Sequence, residues 1–301
     1  MSRNGGSPAG KATSKNLLES FENMALNDLN GRWVLVTGAA SGIGHETALA
    51  FAREGADVVA VDLDEARLAE TSRLIEAMGR RCLARGCDVS DAQAVDALAT
   101  GVAADIGPPD VVVNNAGVGF LGPFLDTPLS AWSQVIGVNL MGAVHVSRAF
   151  LPAMIAAGGA RHLVNVASAA GLQAVPNLSA YSASKHAVLG LSDALAMELR
   201  DTGIGVTVVC PGVINTPIIR NRRAVAPSVP ASALDKLAQQ YQAKGAHPSV
   251  VGLRIVRAVK RGEDIVLVGP SASAVFHARR LSRGLLRKAG ISGARQLGYV
   301  W

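Results

Sequence analysis

A chain of 301 residues with 49% hydrophobic and 17% charged content has the balance of a soluble globular protein with room for a sizeable core. Aromatic residues make up only 4% of it beside 32 glycines, a balance that argues against a carbohydrate- or base-stacking surface. The net charge of +6 resides at one end: residues 271–301 hold six Lys/Arg and no Asp/Glu, leaving 23 basic against 23 acidic residues before them, which argues against a folded nucleic-acid-binding face.

Residues 1–30 are rich in Ser, Gly, Asn and Lys and read as a flexible arm, with a short helix compatible with Leu17, Leu18 and Phe21; a cleaved organelle-targeting segment is the alternative. The start lacks the apolar stretch of a secretory signal, and no run of about 18 consecutive apolar residues marks a membrane span, so a cytoplasmic location is expected. From Gly31 short β-branched runs alternate with longer Ala/Leu-rich stretches: "WVLVTG", "VVAVD", "RCLARGCDV", "VVVNNAG", "HLVNVAS", "VTVVCPG" and "DIVLVGP". Apolar runs separated by helices predict a doubly wound α/β fold, a parallel sheet of seven strands with helices on both faces, in one domain over residues 31–270. Cys82, Cys87 and Cys210 form an odd set without zinc spacing and are expected to be buried thiols in a reducing compartment. No cluster of His, Cys or carboxylates has ligand spacing, and no metal is expected.

After the first strand, Thr37-Gly38-Ala39-Ala40-Ser41-Gly42-Ile43-Gly44 forms a glycine turn that opens a helix. Such a turn lets the backbone approach a pyrophosphate, and the free N–H groups of the helix start attract its charge. The spacing G-x-x-x-G-x-G departs from the G-x-G-x-x-G fingerprint, so taken alone it leaves a plain tight turn open. The second strand ends in Asp62, where a carboxylate accepts from both ribose hydroxyls of NAD and repels the 2′-phosphate of NADP. Asp64 reads instead as the N-cap of the helix beginning at Glu65. With no Arg or Lys just before Gly42 or directly after Asp62, NAD is expected over NADP.

Further along, Tyr181 and Lys185 in "YSASK" stand four apart and share a helix face. Ser168 ends the strand "HLVNVAS", and Asn139 lies upstream in "VIGVNLMG". These types make coherent chemistry if a hydride moves to or from a carbonyl carbon. The carbonyl oxygen must then gain or lose a proton; a phenol of pKa ~10 is a poor base at neutral pH, and a neighbouring ammonium lowers that value. Together with Asp88-Val89, Asn114-Asn115-Ala116-Gly117 and Pro211-Gly212-x-x-x-Thr216, these motifs run in order over residues 31–270 and resemble the short-chain dehydrogenase/reductase family, in its single-domain subgroup with a Rossmann fold.

The resemblance implies Tyr181 as general acid/base and Lys185 as a ligand of the nicotinamide ribose that lowers the tyrosine pKa. It implies Ser168 orienting the substrate carbonyl, and Asn139 distorting its helix and holding a water. Thr37, Gly38, Ser41, Gly42, Ile43 and Gly44 would form the dinucleotide turn, and Asp62 would take the ribose. Asp88 and Val89 would meet adenine; Asn114, Asn115, Ala116 and Gly117 would line the cofactor path; and Pro211, Gly212, Val213, Ile214 and Thr216 would grip the carboxamide. His145 and His186 read as packing or surface histidines. A non-catalytic dinucleotide sensor or scaffold on the same fold is the rival reading, against which the complete tetrad argues.

The resemblance puts the substrate among "VGFLGPF", "AAGLQAVPN" and the segment after Thr216. Phe120, Leu121, Phe124, Leu172, Val175 and Ile218 would make an apolar pocket for a lipophilic alcohol or ketone, with Gln173 as a polar handle; the same residues could serve only loop packing. Arg220, Arg222 and Arg223 could meet an acidic group or form a solvated face. Family members pair as homodimers or homotetramers through helices that here would include 131–157 and 181–202. In the basic tail over 271–301, Ala274, Ala278, Leu281 and Leu285 recur at helical spacing with Arg279, Arg280, Arg283 and Arg287 around them, while Gly284 weakens the helix by ~1 kcal/mol. That amphipathic pattern fits peripheral contact with an anionic membrane or packing on the protein's own body.

Overall fold

Valine-rich runs buried on both faces have one stable destination, the middle of a parallel sheet covered by helices. The computed structural model, which describes residues 25–216, 224–270, 272–297 and 300, places all seven expected strands there. They are β1 (Trp33–Thr37), β2 (Asp57–Asp62), β3 (Cys82–Gly86), β4 (Val111–Asn114), β5 (Arg161–Val166), β6 (Ile204–Pro211) and β7 (Ile265–Val268). Their order is β3-β2-β1-β4-β5-β6-β7, with every neighbouring pair parallel.

One face of the sheet is covered by α1 (Gly42–Arg53) and α9 (Pro248–Arg261), which join Val34, Val36, Val58 and Val113 around the fully buried Phe51. The other face carries α3 (Ala92–Ile106) and α5 (Gly142–Ala157), which bring Val102, Phe150 and Met154 onto Leu35, Val59 and Leu163. Each fully buried Leu or Phe of this kind contributes about 1.5–3 kcal/mol. Because every strand points the same way, the residues that follow strand ends all gather along one edge. Gly38, Asn115, Ser168 and Gly212 lie there, around the switch between β1 and β4 where doubly wound sheets open a crevice.

Two boundaries differ from expectation. The N-terminal arm does not extend to residue 30: Leu26 and Leu29 are each only 2% exposed, and the Leu26 N–H donates to the Val259 carbonyl of α9 at 3.2 Å. Two leucines in a polar stretch suffice to dock it, a pattern too short for periodicity to reveal. The helix expected near Leu17 lies outside the described residues.

The tail forms two helices, α10 (Ala272–Leu281) and α11 (Arg283–Leu297), broken at Ser282, where one continuous helix was expected. The inward face is also different. Ala274 is exposed, whereas Ala272 is buried and Val275 and Phe276 pack against the cluster of Leu172 and Val188. Valine and phenylalanine bury far more apolar area than alanine, so they set the rotation. The side chains of Arg279, Arg280, Leu281, Arg283 and Leu285 lie outside the described residues. Ala294 of α11 is 4% exposed, clustered with Leu121, Ala226 and with Ala233 and Leu237 of α8 (Ala231–Lys244). The tail therefore packs over the loops beside the strand ends. One helical run among the described residues, Leu129–Ala157, is apolar and long enough to cross a membrane; here its Val146, Phe150 and Met154 are buried on the sheet.

Candidate active site

The glycine turn is held from behind by β4. The Thr37 hydroxyl accepts from the N–H groups of Asn115 and Ala116, both at 3.0 Å, while the Asn115 amide donates to the Thr37 carbonyl at 2.8 Å. Gly38 and Gly42 adopt φ of +68° and +57°. At Gly44 an added Cβ would stand 2.1 Å from the Gly38 carbonyl oxygen, so only glycine lets α1 start this close to the turn. Ser41 precedes α1 without using its side chain as a cap, leaving that hydroxyl available where a phosphate would approach. Thr71 donates to the Ala39 carbonyl at 2.9 Å; its oxygen therefore accepts from His45 Nδ1 at 2.7 Å, which fixes the imidazole tautomer.

Along this edge Asp62 ends β2 and accepts through one oxygen from the Ala40 N–H at 3.1 Å, leaving the other for a ribose. Asp64 caps a short 3₁₀ turn, Glu65–Leu68, by accepting from the Ala66 N–H. Asp88 is exposed and accepts from Ser90, and Val89 is buried under Gly142. The loop after β6 runs Pro211, Gly212, Val213, Ile214 and is stitched to Ala246 by a Val213 carbonyl bond at 3.0 Å. It brings Thr216 to a cavity of about 290 Å³ that Gly42, His45 and His247 also line. The open glycine cradle, the free Ser41 hydroxyl, the available Asp62 oxygen and this cavity fit a dinucleotide. His45 and His247 went unnoticed in the sequence, because they carry no motif and meet only in space.

Asn114 does not line that path. Its amide donates to Asn165 at 2.9 Å and Ser147 at 3.0 Å, a buried network joining β4, β5 and α5. Asn115 serves through its clamp on the turn.

Four further side chains converge at the ends of β4 and β5. Helix α4 (Leu129–Ile136) passes through one π-helical turn, Gly137–Met141, before α5 begins, and Asn139 lies in it, 2% exposed. Asn139 accepts from the Val118 N–H at 2.8 Å and donates to the Val118 carbonyl at 2.9 Å and to Ser184 at 3.0 Å. Ser184 in turn donates to the Tyr181 carbonyl, so the π turn is fastened to α7 (Ser179–Glu198). Ser168 caps α6 (Ala169–Leu172), accepting from the Ala170 N–H at 3.0 Å. Ser168 lies close enough to the Tyr181 phenol to pull its pKa down.

Lys185 is 4% exposed; its Nζ donates to the Val166 carbonyl at 2.7 Å and lies 5.8 Å from the Tyr181 ring centroid. Burial pulls Lys185 down to about 8. Burial also pushes Tyr181 up to about 12, Ser168 pulling it down and Tyr241 adding to the rise. The Lys185 ammonium is turned to the Val166 carbonyl, and desolvation sets the direction of the Tyr181 shift. The site as built holds the phenol in its proton-donating form.

The expected apolar pocket is only partly there. Phe120 and Val175 are half-buried, but Leu121 and Leu172 are 6% exposed and packed into their own clusters. Phe124 is 63% exposed, edge-on to Trp132 at 6.0 Å. Ile218, Arg220, Arg222 and Arg223 lie outside the described residues. His145 bonds the Val89 carbonyl and His186 the Ser182 carbonyl, both away from the tyrosine.

A family model described as short chain dehydrogenase matches residues 32–226. A probable oxidoreductase, EphD, of Mycobacterium tuberculosis is 42% identical over 282 residues, which are 92% of this chain and 48% of that protein; the chain spans about half the length of that relative. A crystal structure of a short chain dehydrogenase/reductase from Burkholderia phymatum in complex with NAD is 31% identical, with a TM-score of 0.78 over 87% of this chain and 96% of that one. A metagenomic short-chain oxidoreductase in complex with NADP is 34% identical, with a TM-score of 0.65 over 80% and 98%.

Proposed function

The chain belongs to the short-chain dehydrogenase family and is an oxidoreductase of it, and from that premise we propose that it interconverts a lipophilic secondary alcohol and its ketone, or an aldehyde equivalent, with Tyr181 as the general acid/base. The observation that carries this reading is the convergence of Ser168, Tyr181, Lys185 and Asn139 beyond the strand ends, with Lys185 and Asn139 fastened in place by hydrogen bonds. When bound, the dinucleotide supplies or accepts the hydride. Ser168 and Tyr181 both present hydroxyls to a carbonyl oxygen, the first orienting it and the second passing the proton. Asn139 holds the loop at Val118 and α7 in register; Lys185, next to Gly117, offers its remaining donors to a ribose.

A phenol raised to about 12 stays protonated through the neutral range. Ketone reduction uses that form, so its kcat/KM is expected to stay flat between about pH 5 and 7, below the Lys185 value of about 8; alcohol oxidation uses the phenolate, so its kcat/KM rises with pH over the same range. NADH fluorescence across a panel of hydrophobic ketones and alcohols measures both. Absence of turnover across the panel overturns the proposal, and a reduction rate that falls across that pH range overturns the role of Tyr181.

We assign NAD as the preferred cofactor on the strength of Asp62, whose second oxygen faces no basic neighbour in the turn. Asp62→Ala is expected to weaken NAD binding and to narrow or reverse the preference over NADP, since it removes both a ribose acceptor and a charge repelling a 2′-phosphate. Isothermal titration of both cofactors against both proteins decides; a wild type preferring NADP contradicts the assignment.

The same proposal includes a homodimer or homotetramer in the cytoplasm. Leu125 and Leu129 beside α4 and Met197 on α7 are 91%, 83% and 74% exposed, an apolar surface that supports self-association. Lys288 and Arg295 are exposed on α11 and support peripheral contact with an anionic membrane. Sedimentation with and without anionic vesicles tests both: a monomer, or a chain that ignores vesicle charge, removes the corresponding element.

A further inference from the structure

A cavity of about 560 Å³ lies on the side of α7 turned away from the reacting groups. Ser182, Ala183 and His186 line it. At 100° per residue they stand about 100–200° round the helix from Tyr181, so whatever enters does not touch the phenol. Its second wall is α11, through Arg287, Gly290 and Ile291, and its floor is the Gln173–Pro176 loop. The size is that of a small-molecule site, and the lining has the composition of one: mostly apolar, with a few converging polar groups.

Arg287 is the charged side chain in that lining. Arg287 makes no ion pair among the described residues, no Asp or Glu lines the cavity, and residues 271–301 contain none. His186 donates Nδ1–H to the Ser182 carbonyl at 2.8 Å, so its Nε2 is an acceptor and the anionic head falls to Arg287. Gln173 adds an amide. Along the remainder run Val175, Pro176, Ala183 and Ile291, an apolar strip suited to an alkyl chain. The region lies outside the segment matched by the family model where α11 contributes.

We propose that the groove between α7 and α11 is a second binding site, for a free single-chain amphiphile with an anionic head, Arg287 taking the head and the apolar strip the chain. Its floor connects to the reaction site: the loop joins α6, which Ser168 caps, to α7, which carries Tyr181, and the Val175 N–H donates to Ser182 at 3.1 Å. Occupancy of the groove therefore braces the segment between the two hydroxyls from behind.

Isothermal titration of the full chain, saturated with NADH, against sodium decanoate and decan-1-ol below their aggregation limits tests the site by binding heat and not by turnover, so its failure is separate from failure of the proposed reaction. Decanoate is expected to bind at least tenfold more tightly than decanol. Arg287→Gln should erase that preference, and Tyr181→Phe should leave it intact. Ala183→Trp fills the groove and should weaken decanoate at least tenfold; Ile291→Glu, at a position 47% exposed, should do so by repulsion if the tryptophan variant does not fold. No heat with decanoate, loss of binding in Tyr181→Phe, indifference to both groove variants, or binding only to phosphatidylglycerol vesicles overturns the proposal, the last by assigning the arginine to a membrane surface.

Discussion

Tyr181→Phe is expected to lower kcat by at least ~100-fold while leaving NADH affinity unchanged, the lower range for loss of a general acid/base. The substitution keeps the ring and its packing and removes the hydroxyl that would pass the proton. Neighbouring groups keep their partners: Lys185 holds the Val166 carbonyl and Ser168 still accepts from the Ala170 N–H. A loss confined to turnover, about 2.7 kcal/mol of barrier, therefore isolates the proton transfer. Stopped-flow turnover beside fluorescence titration of NADH measures the two quantities separately, and a variant within tenfold of wild-type kcat sinks the mechanism.

An even smaller change should disable the other half of the site. Gly44→Ala puts a methyl 2.1 Å from the Gly38 carbonyl oxygen and 2.5 Å from the Asn115 amide nitrogen. Neither atom is the free end of a flexible chain, so the turn must open and the Asn115 clamp with it. The expected result is at least ~100-fold weaker NADH binding together with a stability loss of about 1–3 kcal/mol, the usual cost of overpacking. Gly101→Ala in α3, where an added Cβ meets nothing within 4 Å, is the matched control and should stabilise by up to about 1 kcal/mol. Calorimetry and titration of the pair distinguish a collision from a general effect of the methyl group; wild-type affinity in Gly44→Ala would remove the turn from the cofactor site.

The strands were legible because a parallel sheet buried on both sides demands continuous runs such as "VVAVD", and those runs are local in sequence. The residues proposed to react stand out in the sequence for a related reason: Ser168 and the Tyr181–Lys185 pair each follow or begin an element at a fixed distance from recognisable neighbours. What escaped depends on packing between distant segments. Leu26 and Leu29 look like isolated apolar residues until α9 arrives beside them. The rotation of α10 is decided by Val275 and Phe276 meeting Leu172, a contact more than a hundred residues apart in sequence, not by its alanine spacing. The direction of the Tyr181 shift escaped as well, because spacing shows that an ammonium is near but not that it faces the Val166 carbonyl.

The strand order sets a timetable for synthesis. Val34 of β1 pairs on one side with Val58 and on the other with Val111, so an interior strand of the sheet is the first made and waits for about 77 more residues before its second edge is closed. At about 5–20 residues per second, that leaves a bare β-edge at the ribosome for roughly 4–15 seconds. During this interval the nascent chain offers an apolar edge to any other strand nearby. Defects between β1 and β4 should therefore appear as insoluble protein, which slower translation or a holding chaperone would relieve, before they appear as a lower melting temperature.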